Sequence, residues 1–217
     1  LTAVAPDRGE AGWRFTSERP DPVNGWQYLS EGYDANDPTY DDSATVPVLW
    51  DKQHSTIVSN DSADIVEMFN SEFNELAERP ELDYFPEALR QEIDELNPRI
   101  REEVTTGVYR TVFSRSQEEY DANVAQLFAS LDWIERRLAS RRYLTGEAIT
   151  SVDWRLAMAL FRVAMIDISP YDRAATPSDA YPQLRHYARE LYRQHGVAET
   201  VNFEEIRRNY SYSLATR

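Results

Sequence analysis

The spacing of apolar residues changes character near residue 80, and that change limits the chain to two unlike parts. Up to about residue 78, apolar residues come in short runs separated by turn-forming clusters. Val46-Pro47-Val48-Leu49-Trp50 is followed by the polar stretch Asp51-Lys52-Gln53-His54-Ser55 and then by Thr56-Ile57-Val58, a pattern that predicts a β-hairpin. Behind it, Asn60-Asp61-Ser62 supplies N-cap chemistry for a helix whose apolar positions are Ile65, Met68, Phe69, Phe73 and Leu76. This half reads as α/β.

From Pro86 onward the apolar period is helical throughout. Leu89, Ile93, Leu96, Ile100 and Val104 keep one face, with Pro98 expected to kink or interrupt that helix. Tyr120, Val124, Leu127, Leu131, Ile134 and Leu138 mark a long second helix that ends near Arg141-Arg142. Thr150-Ser151-Val152-Asp153 is a capping box that opens a third, and Leu184, Tyr187, Ala188, Leu191 and Tyr192 give a fourth. The expected organisation is therefore an α/β domain over 1–78, a linker over 79–85 and an all-helical bundle over 86–217.

Charge narrows the partners. The 217 residues hold 38 acidic and 23 basic side chains, for a net charge of -15, and Lys52 is the only lysine. Nucleic acid and anionic membrane surfaces are polyanions that such a field repels. Adaptation to a salt-rich cytoplasm accounts for the acidity, because screening at about 1 M salt shortens the Debye length to roughly 3 Å. Mean hydropathy is -0.63, and no run approaches the roughly 20 apolar residues of a membrane span. The chain opens Leu1-Thr2-Ala3-Val4 without an initiator Met or a signal-peptide pattern, and upstream sequence is expected.

Most catalytic signatures are missing. With 0 cysteines, the chain as written has no disulfide, thiolate metal site or thiol nucleophile. It has no Gly-rich phosphate loop, nucleophile-elbow serine or paired-His metal motif, so no metal is expected. His54, His186 and His195 have no partner motif and read as surface or capping residues. Two features stand out. The Val46-Pro47 pair inside a β-run can leave backbone groups free for a peptide-like ligand. Asp61-Ser62 at a helix N-terminus offers N–H groups, a hydroxyl and the positive dipole end to a carboxylate. Each also has an ordinary reading, as an edge strand and as a plain cap.

The order of parts resembles a known family. Thr45-Val46-Pro47-Val48-Leu49-Trp50-Asp51, Ile57-Val58-Ser59-Asn60-Asp61-Ser62, Gly107-Val108-Tyr109, Tyr143-Leu144-Thr145-Gly146, Thr150-Ser151-Val152-Asp153-Trp154-Arg155-Leu156 and Val197-Ala198-Glu199-Thr200-Val201-Asn202-Phe203 are similar to segments of the Xi-class glutathione transferases, the glutathionyl-hydroquinone reductases. The resemblance runs from Gly12-Trp13-Arg14-Phe15 to Tyr210. It implies a thioredoxin-like domain that binds glutathione or a related γ-glutamyl thiol, joined to an all-helical domain, with a quinol-type substrate held between the two. It also implies a homodimer.

In that family the cysteine of a Cys-Pro-Trp-Ala motif attacks the conjugate's sulfur, releases the hydroquinone and is regenerated by a second glutathione, a thiol–disulfide exchange in outline. By resemblance, Trp13, Ser43, Ala44, Thr45 and Val46 contact glutathione, and Asp61 and Ser62 hold its γ-glutamyl end. Tyr109 exchanges a proton with the quinol oxygen, and Tyr210 lowers the cysteine pKa. The chain departs from the family at Asp61, where Glu is usual, at Ser43, where Arg or Lys is common, and at Asp167, where a second pKa-lowering tyrosine stands. Two other readings stay open: a non-catalytic binding or interaction protein of the same fold, and a transferase in which Ser or Tyr activates the bound thiol.

Overall fold

The computed structural model describes residues 1–163 and 180–215. The Asp167 expectation lies outside the described residues. The chain divides into two compact units, Leu1–Pro80 with Glu205–Arg217, and Glu81–Glu204.

The first unit contains the expected hairpin, one residue or more displaced. Strands β1 (Leu49–Asp51) and β2 (Thr56–Ser59) pair antiparallel with Trp50 opposite Ile57, and the register slips between Leu49 and Trp50. Helix α1 (Ser30–Asn36) precedes the hairpin and α2 (Ser62–Ser71) follows it. Leu29, Tyr33 and Ala44 form a small core, with Trp13, Phe15, Tyr40, Val48 and Ile57 packed against it. The expected apolar face of α2 is only partly used: Ile65 is buried, whereas Phe69 is 58% exposed and Leu76 lies beyond the helix, 84% exposed.

In the second unit, α3 (Arg90–Arg99) runs through Pro98 without a break. Proline lacks the N–H for an i→i−4 bond, and the helix widens just beyond it into a π-helical turn, Ile100–Thr105, before α4 (Thr106–Val112). Helix α5 (Gln117–Leu138) matches its periodicity, with Tyr120, Leu127, Leu131, Ile134 and Leu138 buried. Helices α6 (Ser151–Val163), α7 (Pro182–Tyr192) and α8 (Val197–Thr200) follow, and α9 spans Phe203–Ala215.

Asp153, fully buried, is the polar node of this unit. Its Oδ1 accepts from Leu144 N and the Tyr187 hydroxyl, each at 2.8 Å, and its Oδ2 from Thr150 N at 2.8 Å and Thr150 Oγ1 at 2.9 Å. The capping box thus departs from the expected reciprocal form: the Thr150 hydroxyl donates to the carboxylate. Burial pushes the Asp153 carboxyl above the usual range, and the four donors pull it back.

The expected boundaries differ from these units at both ends. Ser151 N donates to Tyr84 O at 2.9 Å and Phe85 is buried, so the stretch read as a linker belongs to the second unit from Glu81 onward. At the other end, α9 from Glu205 onward groups with the first unit. Glu205 takes both guanidinium nitrogens of Arg19, Arg208 lies 3.1 Å from Asp7, and Asn209 Nδ2 donates to Pro6 O at 2.6 Å.

Candidate functional site

In the first unit one phenol ties the residues singled out above into a frame. Tyr33, on α1 and buried, donates to Thr45 O at 2.8 Å, and its oxygen accepts from Asn60 Nδ2 at 3.1 Å and Thr45 N at 3.3 Å. Asn60 Nδ2 also reaches Thr45 Oγ1 at 3.4 Å. The Tyr40 ring lies 4.9 Å from that of Tyr33, and its hydroxyl donates to Ser43 O at 3.0 Å. Ala44 is buried in the Leu29–Tyr33 core, on which Trp13 packs. The backbone from Ser43 to Thr45 is therefore fixed from three sides.

Val46 is different. Its peptide bond to Pro47 is cis and its residue is 43% exposed. Its backbone N–H and C=O have no partner among the described residues. An unpartnered donor and acceptor on one exposed residue are the complement of an extended peptide-like ligand.

Asp61 is the N-cap of α2, with φ -86° and ψ 122°. Its Oδ1 accepts from Ala63 N at 2.7 Å and Asp64 N at 3.3 Å, and its own N–H donates to Ser59 Oγ at 3.1 Å. Oδ2 takes no bond from the described residues. Ser62, the first residue of α2, is exposed, and its hydroxyl has no partner among them. The ordinary capping reading of Asp61 is thus realised, while Oδ2 and the Ser62 hydroxyl remain open to a ligand.

Tyr210 belongs to the same unit and is 5% exposed on α9. Tyr109 belongs to the second unit, on α4, where it is 42% exposed and its ring stacks on Phe113 at 6.2 Å. Sequence reasoning missed Tyr33 and the Asn60 amide, which hold the loop. Their contacts cross 12 and 27 positions, beyond what local spacing registers. No cluster of His, Cys, Asp or Glu able to hold a metal occurs among the described residues, and no described helix is long and apolar enough to cross a membrane.

The family described as glutathione S-transferase, C-terminal domain, matches residues 117–190. Glutathionyl-hydroquinone reductase YqjG of Escherichia coli (strain K12) is 40% identical over 220 residues, covering 100% of this chain and 67% of its own. Its glutathione-bound structure superposes with a TM-score of 0.92 over 99% of this chain and 71% of that one. Glutathionyl-hydroquinone reductase PcpF of Sphingobium chlorophenolicum is 37% identical, covering 93% of this chain and 65% of its own. A Xi-class transferase from Natrialba magadii is 37% identical with a TM-score of 0.90, over 96% of this chain and 66% of that one. The chain spans about two thirds of the length of these curated relatives.

Proposed function

The chain belongs to the Xi-class glutathione transferases, the family of glutathionyl-hydroquinone reductases, and we propose that it is a glutathione-dependent reductase of glutathionyl-hydroquinone-type conjugates. The observation that carries this reading is the unpartnered backbone N–H and C=O of exposed Val46 on a loop fixed by Tyr33 and Asn60. A glutathione cysteinyl unit pairs with those two groups as an added strand would. Its γ-glutamyl carboxylate takes the Ser62 hydroxyl at the positive end of α2, and its ammonium takes Asp61 Oδ2. A related γ-glutamyl thiol meets the same groups. Trp13 and Ser43–Thr45 give the frame its shape.

In the reaction a thiolate attacks the conjugate's sulfur, the aryl C–S bond breaks, a disulfide to glutathione forms, and the ring carbon that lost sulfur ends with a hydrogen taken up as a proton; a second glutathione then reduces the disulfide. The 217 residues contain 0 cysteines, so their part is to bind the thiol and to move the proton. Tyr109 exchanges a proton with the quinol oxygen, which lets the ring pass through its keto tautomer while the carbon is protonated. Tyr210 favours the thiolate by donating toward it. The same reading makes the protein a homodimer in a salt-rich cytoplasm, a setting that its acidic charge supports. A second reading, thiol binding without chemistry, draws on the count of 0 cysteines.

Calorimetric titration with glutathione tests the site. Ser62→Ala removes one hydrogen bond to a charged group and weakens binding by about 1.5–3 kcal/mol. Unchanged affinity would put the thiol elsewhere and return Asp61-Ser62 to a plain cap. Normal binding with no turnover of a glutathionyl-hydroquinone would favour the second reading.

A further inference from the structure

The second unit holds an open groove of about 790 Å³ where the end of α5 meets α7. That volume is within the range of small-molecule sites, about 300–1,000 Å³. Its charge is opposite to that of the chain. Acidic residues outnumber basic ones 38 to 23 overall, yet the ten lining residues include Arg141, Arg142, Arg189, Arg193 and His186 against one carboxylate, Glu190.

Glu190 is already engaged. It accepts from Arg142 Nε at 2.9 Å, Arg142 Nη2 at 2.6 Å and the Tyr143 hydroxyl at 2.6 Å, which holds its carboxyl below the usual range despite partial burial. Arg141 is 2.7 Å from Glu92, which Arg137 also engages. The guanidinium groups of Arg189 and Arg193 have no partner among the described residues. The two residues are one turn apart, Arg189 in the last turn of α7 and Arg193 its helical C-cap, a spacing that places their Cβ atoms about 5–6 Å from each other. The groove also receives the negative ends of α5 and α7. One cation near each end answers a helix dipole of roughly half a charge; four arginines exceed it.

We propose that this groove is a binding site for a small organic phosphate, with Arg189 and Arg193 as its phosphate clamp. Two guanidinium forks one turn apart match a group that carries two charges and three oxygens, and Arg141 closes the cluster. The remaining volume takes the organic body over Leu138 and beside Gln183 and Gln194. Size restricts the ligand as well. A macromolecular polyanion meets the field of the whole chain, net -15, whereas a small molecule inside the groove meets mainly the local cations. This site is separate from the thiol frame, and its test does not depend on that frame.

The probe is inorganic phosphate, titrated by calorimetry into the parent, Arg189→Gln/Arg193→Gln and Arg115→Gln/Arg136→Gln, the last removing the same charge from exposed positions outside the groove. The parent should show saturable binding that the groove variant weakens about tenfold or more and the control variant leaves within a factor of about two. Adding glucose 6-phosphate should give tighter binding than phosphate alone. The proposal is overturned by non-saturable binding in the parent, by equal affinity in the parent and the groove variant, or by equal losses in both variants. Citrate binding as tightly as the phosphates would overturn the assignment of the ligand class.

Discussion

Asp51 spends both carboxylate oxygens on the turn that follows it. Oδ1 accepts from Gln53 N at 2.7 Å and His54 N at 3.0 Å, and Oδ2 lies 2.7 Å from His54 Nδ1. The imidazole and these N–H donors hold the Asp51 carboxyl down at about 2, against an ordinary 3.8, and Asp51 raises the pKa of His54. The signs set a window. The Asp51 contribution is present above its ordinary pKa and is lost as pH falls toward about 2. The His54 contribution is complete below its ordinary 6.5 and is lost as pH rises through the raised value. An NMR titration should find His54 above 6.5, with Asp51→Asn returning it toward that value; a His54 that titrates identically in both proteins would remove the clasp. At Asp153 the chemistry is buried. Asp153→Asn sets an NH₂ group against two of the four donors, whichever way the amide turns, and should cost roughly 2–4 kcal/mol in a denaturant melt. A loss under about 1 kcal/mol would show that the node relaxes onto water.

Helix α1 depends on the missing side chain of Gly32. A Cβ at that position would lie 2.6 Å from Trp26 Cζ3 and 3.0 Å from Cη2, and the Trp26 ring is already edge-to-face with Trp50 at 5.0 Å. Gly32→Ala gains about 1 kcal/mol of helix propensity but overpacks the contact by about 1–3 kcal/mol. The variant should be less stable and its tryptophan emission shifted; an increase in stability would show that the ring moves aside freely. Elements of this kind mark the limit of sequence reading. The hairpin and α5 were legible because alternation, turn chemistry and a helical period sustained over 22 residues are local signals. So were the Val46 and Asp61-Ser62 features, which lie on turn and cap chemistry. The π-helical turn after Pro98 was not, because sequence alone shows the lost N–H and not the packing of Ile100 and Val104 that keeps the helix going. The exposed Phe69 and Leu76 misled for the same reason: periodicity says which face is apolar, not whether anything covers it.

For the whole molecule, 15 excess negative charges repel one another within one fold, a cost that salt screens. The melting temperature should therefore rise from dilute buffer to molar KCl, by about 2–4 °C for each kcal/mol of repulsion relieved. A flat response over that range would remove the salt-adaptation reading. The joining of α9 to the first unit bears on how the chain is made. Synthesis runs from the N-terminal to the C-terminal side, and domains fold as their residues emerge. The second unit is contiguous and is complete once Glu204 has emerged, whereas the first unit is interrupted by 124 residues, Glu81–Glu204, and waits for the partners of Pro6, Asp7 and Arg19. Of the two units, the one begun first is thus the one finished last, and a nascent chain that has emerged only as far as residue 204 would carry a complete helical unit behind a first unit still lacking α9.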